Sequence, residues 1–441
     1  MDVMRAAAAA EATAAATGGP RVLHLEVGQP SSPAPAAARD AAAAALRSGT
    51  CLGYTTAAGD ARLRAAIAAS YVAATGVAAV SADDVVLTAG SSAAFVLAFL
   101  AAFDAGDRVA TAVPGYPPYR HTLAALGVEV VPMPVDAATD YQPTVAHVEA
   151  AAAGGRLDGV IVASPSNPTG TVLPRAALAD IADYCTRARV RLISDEIYHG
   201  TTFGGGGEGA GGGAPAADAT CVVSVDPGGD AIAVSSYSKY HCMTGWRLGW
   251  LLVRDARLRA AVERLQQSLY ICAPALAQVG AAALYDPPAV AAVVAAAGRA
   301  GGAAPPPPRA RHAHGALLRS DVRAGLDAHV GRYRANAGVM TAALHAAGAE
   351  ALVPPAGAFY IYAGVGGLLR RSGDADAAAL CGRLLRDTGV AVTPGDDFDA
   401  VRGGGYVRLS VCGSEADVAE AAARLTGWAA GLGGGRRRPP P

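Results

Sequence analysis

The sequence predicts an α/β protein with two domains: a large one with a mostly parallel, helix-covered sheet and a smaller α+β one. Three observations point there. Between Val85 and Val253 short β-branched runs alternate with longer amphipathic stretches, as strands joined by crossover helices do. After a proline-rich break, short strands and helices mix without that alternation. And 441 residues exceed what a single hydrophobic core usually organises.

Taken in order, the chain starts with alanines. An aspartate at position 2 and the lack of a leucine-rich stretch argue against a secretory signal. An alanine-rich start is permissive of an organelle transit peptide, but few residues precede what reads as folded chain at Val22, so a cytoplasmic protein is expected. Residues 1–45 read as an N-terminal arm with part of the small domain, and 46–297 as the large domain. Its strands are expected at 85–88, 108–113, 128–135, 159–163, 191–195, 231–235 and 248–253, with helices at 92–103, 117–126, 144–153 and 174–188. The apolar run 93–103 stops at Asp104, well short of the ~20 residues a membrane span needs, and reads as a buried helix. Glycine-rich 204–213, proline-rich 298–311 and the tail from 433 cannot bury enough apolar area to offset ordering entropy, so they read as surface insertions and a disordered tail. The low-complexity insertion is set at 298–320, the small domain at 321–431 and the tail at 432–441. Within the small domain helical periodicity runs from 321 to 345, then strands at 358–363, 390–393 and 406–411 alternate with helices at 374–388 and 414–431.

A formal net charge of −1 without a basic stripe gives no reason to expect nucleic acid or a membrane as partner. The seven cysteines show no Cys-x-x-Cys pair and no histidine at ligand spacing, so they read as small buried hydrophobes in a reducing compartment. Cys242 alone lies near the segment singled out below. His312 and His314 invite a metal reading, but they sit in what reads as the insertion, and no metal is expected.

The most informative stretch runs from Ser236-Tyr237-Ser238-Lys239 to Gly245-Trp246-Arg247. An amine flanked by hydroxyls and followed by an arginine suits condensation with an aldehyde beside a bound phosphate, the lysine Schiff base of pyridoxal phosphate chemistry. Such chemistry also needs a phosphate cradle, an acid near the pyridine nitrogen, a ring clamp and a substrate-carboxylate anchor. Gly90-Ser91-Ser92, between a strand and a helix, suits the cradle, although the same tripeptide serves equally well as an ordinary helix start. Ser236 and Arg247 would complete it, Arg247 as a bidentate fork. Asp195, closing a buried strand, is costly unless paired, and a protonated pyridine nitrogen is a good partner. Tyr198 suits the ring hydroxyl, while Glu196 should point away by strand alternation and His199 reads as structural. Asn167, held in Ser164-Pro165-Ser166-Asn167-Pro168, suits ring oxygen and carboxylate, and Tyr116 suits stacking on the ring.

Together these segments resemble the fold-type-I pyridoxal phosphate enzymes, specifically class I/II aminotransferases of the aspartate aminotransferase superfamily. The matches run in family order: Gly28, Tyr54, Gly90-Ser91-Ser92, Tyr116, Asn167-Pro168-Thr169-Gly170, Asp195-Glu196-Ile197-Tyr198, Ser236-Tyr237-Ser238-Lys239, Gly245-Trp246-Arg247 and Arg408, over about 22–425 without the inserts. The resemblance implies pyridoxal 5'-phosphate bound to Lys239, which then shuttles a proton at the substrate Cα. It implies that Asp195 keeps the ring nitrogen protonated, and that Ser91, Ser92, Ser236, Ser238 and Arg247 hold the phosphate. Arg408, helped by Asn167 and the backbone of Gly28, would grip the substrate carboxylate. Tyr54 would reach the neighbouring subunit's phosphate, so a homodimer with shared active sites is expected. The chain departs from the family between Asp286 and about 321, where the insertion lies.

The implied activity is transfer of an amino group from an L-amino acid to a 2-oxoacid by a ping-pong mechanism. A C-S lyase or an aminocyclopropane carboxylate synthase-like enzyme would stabilise the same carbanion, and the motifs do not separate them. A non-catalytic regulator that binds the cofactor is the third reading.

Overall fold

A computed structural model describes residues 2–49, 51–204, 219–298 and 312–432. In chain order the strands are β1 (Leu23–His24), β2 (Val85–Thr88), β3 (Arg108–Val113), β4 (Glu129–Pro134), β5 (Gly159–Ala163), β6 (Arg191–Asp195), β7 (Ile232–Ser236), β8 (Gly249–Val253), β9 (Tyr360–Gly364), β10 (Val390–Ala391), β11 (Thr393–Pro394) and β12 (Tyr406–Ser410). A seven-stranded sheet has the order β2-β8-β7-β6-β5-β3-β4. Only β8 runs against the others. Its inner strands are apolar on both sides because helices cover both faces. Val86, Ile161, Ile193, Ile232 and Leu251 belong to the core under one face, and Leu87, Val160, Leu192, Ala233 and Leu252 to that under the other. The helix Gly90–Ala102 is buried over most of its surface, as its all-round apolar sequence requires.

A separate core lies around the antiparallel sheet β11-β12-β9. The N-terminal segment joins it: β1 pairs in parallel with β10, and Leu23 and Leu25 are buried there. Ala34 and Ala38, by contrast, pack into the large core, so the chain crosses between the two within what reads as one arm. The long helix Ser320–Ala347 crosses back, with Val322 and Leu326 in the large core and Tyr333, Met340 and Leu344 in the small one.

Several boundaries differ from expectation. The strand expected at 390–393 is two, β10 and β11, which join different sheets on either side of Val392. The helix expected from 374 begins at Ala377, because Asp376 caps it by accepting from the Ala379 N–H. Helices Asp2–Thr17 and Pro287–Ala297 form where only an alanine-rich start and the beginning of a departure were legible. The expected insertion ends sooner than 320. From Ala313 to Leu318 the chain is buried in the large core, and it is tied back by Asp286 N–H to Leu317 O (2.9 Å) and Arg319 N–H to Leu284 O (3.0 Å). Two leucines supply apolar area that the surrounding Pro, Ala and His composition conceals. The glycine run, the proline run and the tail lie, apart from their first residues, outside the described residues. No helix among the described residues is long and apolar enough to cross a membrane.

Candidate active site

A parallel sheet delivers its loops to one edge, and here five strand ends meet there. β2 leads to Ser91, β3 to Tyr116, β5 to Asn167, β6 ends on Asp195 and β7 leads to Lys239. Because β8 runs backwards, the segment that precedes it, with Arg247, starts from the same edge. The small domain faces this edge through Tyr360 of β9 and Arg408 of β12, and Gly28 closes it from the N-terminal segment. Gly28, Ser91, Tyr116, Asn167, Asp195, Tyr198, Lys239 and Arg408 thus line one cleft of about 210 Å³.

The Lys239 ammonium donates to the Gly28 carbonyl at 2.7 Å and lies over the rings of Tyr198 and Phe359. Burial lowers its pKa to about 8; Arg408 and Arg247 push the same way, while Cys412 and Asp195 oppose. Asp195 is buried without an ion-pair partner among the described residues. Its Oδ1 accepts from the Ile197 N–H at 3.0 Å and its Oδ2 from the Tyr119 hydroxyl. Burial raises its pKa to about 6, against the pull of Tyr119, Ile197 and Lys239, so it is charged at neutral pH.

Arg408 is 8% exposed, and no carboxylate pairs with it among the described residues. Its Nη1 donates to Asn167 Oδ1 at 3.3 Å, and its Nη2 to the Glu26 carbonyl and to Thr393 Oγ1. The guanidinium lies 4.7 Å from the Tyr360 ring and 4.9 Å from the Phe398 ring. Its Nε–H has no partner among the described residues. A buried cation that, among the described residues, is held by neutral groups is suited to bind an anion.

A second anion cradle lies at the start of Gly90–Ala102. Among the described residues no side chain caps that helix, which leaves its first N–H groups for a ligand. Gly90 has φ +79°, and a Cβ there would lie 2.4 Å from Arg247 Nη2: the backbone and the guanidinium approach closely only because the residue is glycine. Arg247 donates to the Thr244 carbonyl at 3.0 Å and to Ser238 Oγ at 3.5 Å. Ser236 is buried and accepts from the Ser238 N–H at 3.1 Å. An uncapped helix start, an unpaired guanidinium, a buried unpaired carboxylate and an amine of lowered pKa fit the phosphate, ring nitrogen and aldehyde of the cofactor implied by the resemblance.

Of the remaining expected residues, Ser92 is exposed one position beyond Ser91. Tyr54 is 81% exposed and lies outside the cleft's lining. Tyr198 bonds the Tyr360 hydroxyl at 2.8 Å. Tyr119, Tyr360, Phe359, Phe398 and Thr393 also reach the site, beyond the residues expected from the sequence. Tyr119 had a signal: it sits one helical turn after Tyr116, on the helix Pro117–Ala125.

Glu196 points away from the cleft, as strand alternation requires, into a buried cluster. Its carboxyl accepts from the Val222 N–H (2.7 Å) and the Tyr71 hydroxyl (3.2 Å), and its Oε2 lies 3.5 Å from His199 Nδ1. Cys221 Sγ lies 3.6 Å from the same nitrogen. Burial raises Glu196 to about 8 and lowers His199 to about 3, so the cluster is a set of neutral groups that partner one another. His314, from the supposed insertion, seals it with Nε2 3.1 Å from Ser235 Oγ.

The sequence matches the aminotransferase class I and II family over residues 20–301 and 303–425. It is 42% identical over 407 residues to the valine–pyruvate aminotransferase of Mycobacterium tuberculosis, covering 92% of this chain and 91% of the relative. The fold superposes on the crystal structure of an aminotransferase from Mycobacterium tuberculosis with a TM-score of 0.81 at 42% identity, covering 97% and 96% of the two chains. It also superposes on the aspartate aminotransferase of Thermotoga maritima, TM-score 0.78 at 25% identity, over 97% and 96%.

Proposed function

The chain belongs to the class I and II aminotransferases and is a transaminase, and from that premise we propose that it uses pyridoxal 5'-phosphate to move the amino group of an apolar L-amino acid, valine or a close analogue, onto pyruvate or a similar 2-oxoacid. The observation that carries this reading is the pairing of the Lys239 amine with the buried, unpaired Arg408 guanidinium in one cleft. When bound, the cofactor supplies an electrophilic aldehyde and an electron-withdrawing ring.

The chain's own residues do the rest. With its pKa lowered to about 8, Lys239 has an appreciable neutral fraction near pH 7, which suits it first as nucleophile and then as the base that takes and returns the proton at the substrate Cα. Asp195, ionised above about pH 6, is the group to face a protonated ring nitrogen. The helix-start N–H groups at Ser91 and Ser92, the hydroxyls of Ser236 and Ser238 and the Arg247 fork would hold the phosphate. Tyr116 would cover the ring, and Tyr198 and Asn167 would contact its oxygen. Arg408 and Asn167 would fix the substrate carboxylate, orienting Cα toward Lys239.

Donor choice follows from charge. Among the described residues lining the cleft the cations are Lys239 and Arg408, so these residues offer no second cation for a side-chain carboxylate. Phe95, Ala163, Pro165 and Ile197 add apolar wall. That favours apolar donors and agrees with the activity named for the 42%-identical relative.

We also take the working unit to be a homodimer in the cytoplasm. The exposed Tyr54 supports the dimer, since a tyrosine reaching no group of its own cleft is free to complete a neighbour's. Mixing Lys239→Ala subunits with Tyr54→Ala subunits tests it: one site in each hybrid is then intact, and activity should return. Activity no greater than that of the two variants apart would reject shared sites. For the reaction itself, purified protein given L-valine and pyruvate should yield alanine and the branched 2-oxoacid, faster than it uses L-aspartate with 2-oxoglutarate. The reverse preference would overturn the donor assignment.

A further inference from the structure

We infer that Tyr119 is the positioning residue for Asp195: its hydroxyl aims and charges the carboxylate that meets the cofactor's ring nitrogen, an inference that rests on the cofactor reading above. Asp195 sits at the end of a buried strand, where an ionised carboxylate is costly without donors. Only two hold it by hydrogen bonds among the described residues. The Ile197 N–H belongs to the same turn of chain and binds Oδ1, so it cannot by itself fix the rotation of the carboxyl group. Tyr119 comes from a different element and binds Oδ2.

Tyr119 is built for this. Its ring is buried, edge-on to Phe95 at 5.0 Å and 61° and to Tyr116 at 5.3 Å and 79°. Its N–H donates to the Tyr116 carbonyl at 3.2 Å, in the first turn of a helix opened by Pro117 and Pro118. One short segment therefore carries both Tyr116, suited to the face of a ring, and Tyr119, which orients the acid at that ring's nitrogen. Burial and the Asp195 charge hold the Tyr119 phenol well above its ordinary pKa, so it remains a donor at working pH. The same hydroxyl opposes the rise that burial imposes on Asp195.

A purely structural tyrosine and a positioning one make different predictions. Tyr119→Phe keeps the ring between Phe95 and Tyr116 and removes only the donor, and circular dichroism and the unfolding midpoint verify that the fold is kept. Apo-protein is titrated with pyridoxal 5'-phosphate and with the analogue in which carbon replaces the ring nitrogen, which offers Asp195 nothing to hold. The substitution should weaken pyridoxal phosphate by about tenfold, the scale of one charge-assisted hydrogen bond, and leave the carbon analogue unchanged. In an Asp195→Asn background it should cost nothing further. Equal loss for both ligands, or no loss for pyridoxal phosphate, would overturn the inference. A wild-type chain that binds neither ligand would instead overturn the cofactor reading on which it stands.

Discussion

Replacing Arg408 by methionine should damage activity far more than stability, and the structure sets both magnitudes. The guanidinium is buried without a carboxylate partner among the described residues, so the wild-type chain already bears the desolvation cost of an unpaired charge. Removing it relieves that cost but leaves Asn167 Oδ1, the Glu26 carbonyl and Thr393 Oγ1 with one donor fewer. These effects oppose each other, and a net change of about 1 kcal/mol or less in unfolding free energy is expected. For catalysis there is no such offset. Two hydrogen bonds to a charged substrate carboxylate contribute about 1.5–3 kcal/mol each. Their loss predicts a fall in kcat/KM of roughly 10² to 10⁴, at 1.36 kcal/mol per tenfold. The assay is single-turnover conversion with L-valine, alongside a primary amine that lacks the carboxylate; only the amino acid should suffer. A large loss of stability, or an equal loss for both donors, would show that Arg408 holds the β11-β12-β9 sheet together rather than the substrate.

Three further outcomes follow from particular contacts. Gly90→Ala places a Cβ against Arg247 in a left-handed conformation, and should weaken pyridoxal phosphate by about tenfold in an apo-protein titration, with the fold retained. Lys239 has its pKa lowered from 10.5 to about 8, so between those values the unfolded chain binds a proton that the folded chain has released; the stability of the apo-protein should rise with pH across that window, and Lys239→Met should remove the rise in urea unfolding. Glu196 behaves in the opposite sense. Raised from 4.5 to about 8, it keeps a proton in the folded chain that the unfolded chain has lost, so its contribution to stability falls as pH climbs through that range, and Glu196→Gln should flatten the slope.

Much of the site was legible in the sequence because it sits on backbone turns. Strand alternation separated Asp195 from Glu196, and the Gly-Ser-Ser and Ser-x-Ser-Lys segments carry their chemistry in local geometry. The parallel sheet was legible for the same kind of reason: strands buried on both faces read as short apolar runs bounded by turn residues. Tyr360 and Thr393 were not, since each acts through a contact made only when distant elements pack, and the one signal for Tyr119, its turn spacing from Tyr116, does not reveal its partner. Tyr119 meets an acid 76 positions away, and Thr393 meets Arg408 across an antiparallel pair. The 312–318 segment reads as insertion because composition averages over a window, whereas burial depends on individual side chains such as Leu317 and Leu318.

The central claim is that Lys239 works through a bound aldehyde to carry an amino group between two substrates. Absorbance of the purified, cofactor-loaded protein reads this directly: L-valine should convert the bound chromophore from its aldehyde to its amine form, pyruvate should restore it, and Lys239→Ala should do neither at the wild-type rate. A chromophore unchanged by every amino acid and oxoacid pair, or a Lys239→Ala variant that cycles as fast as wild type, would contradict it.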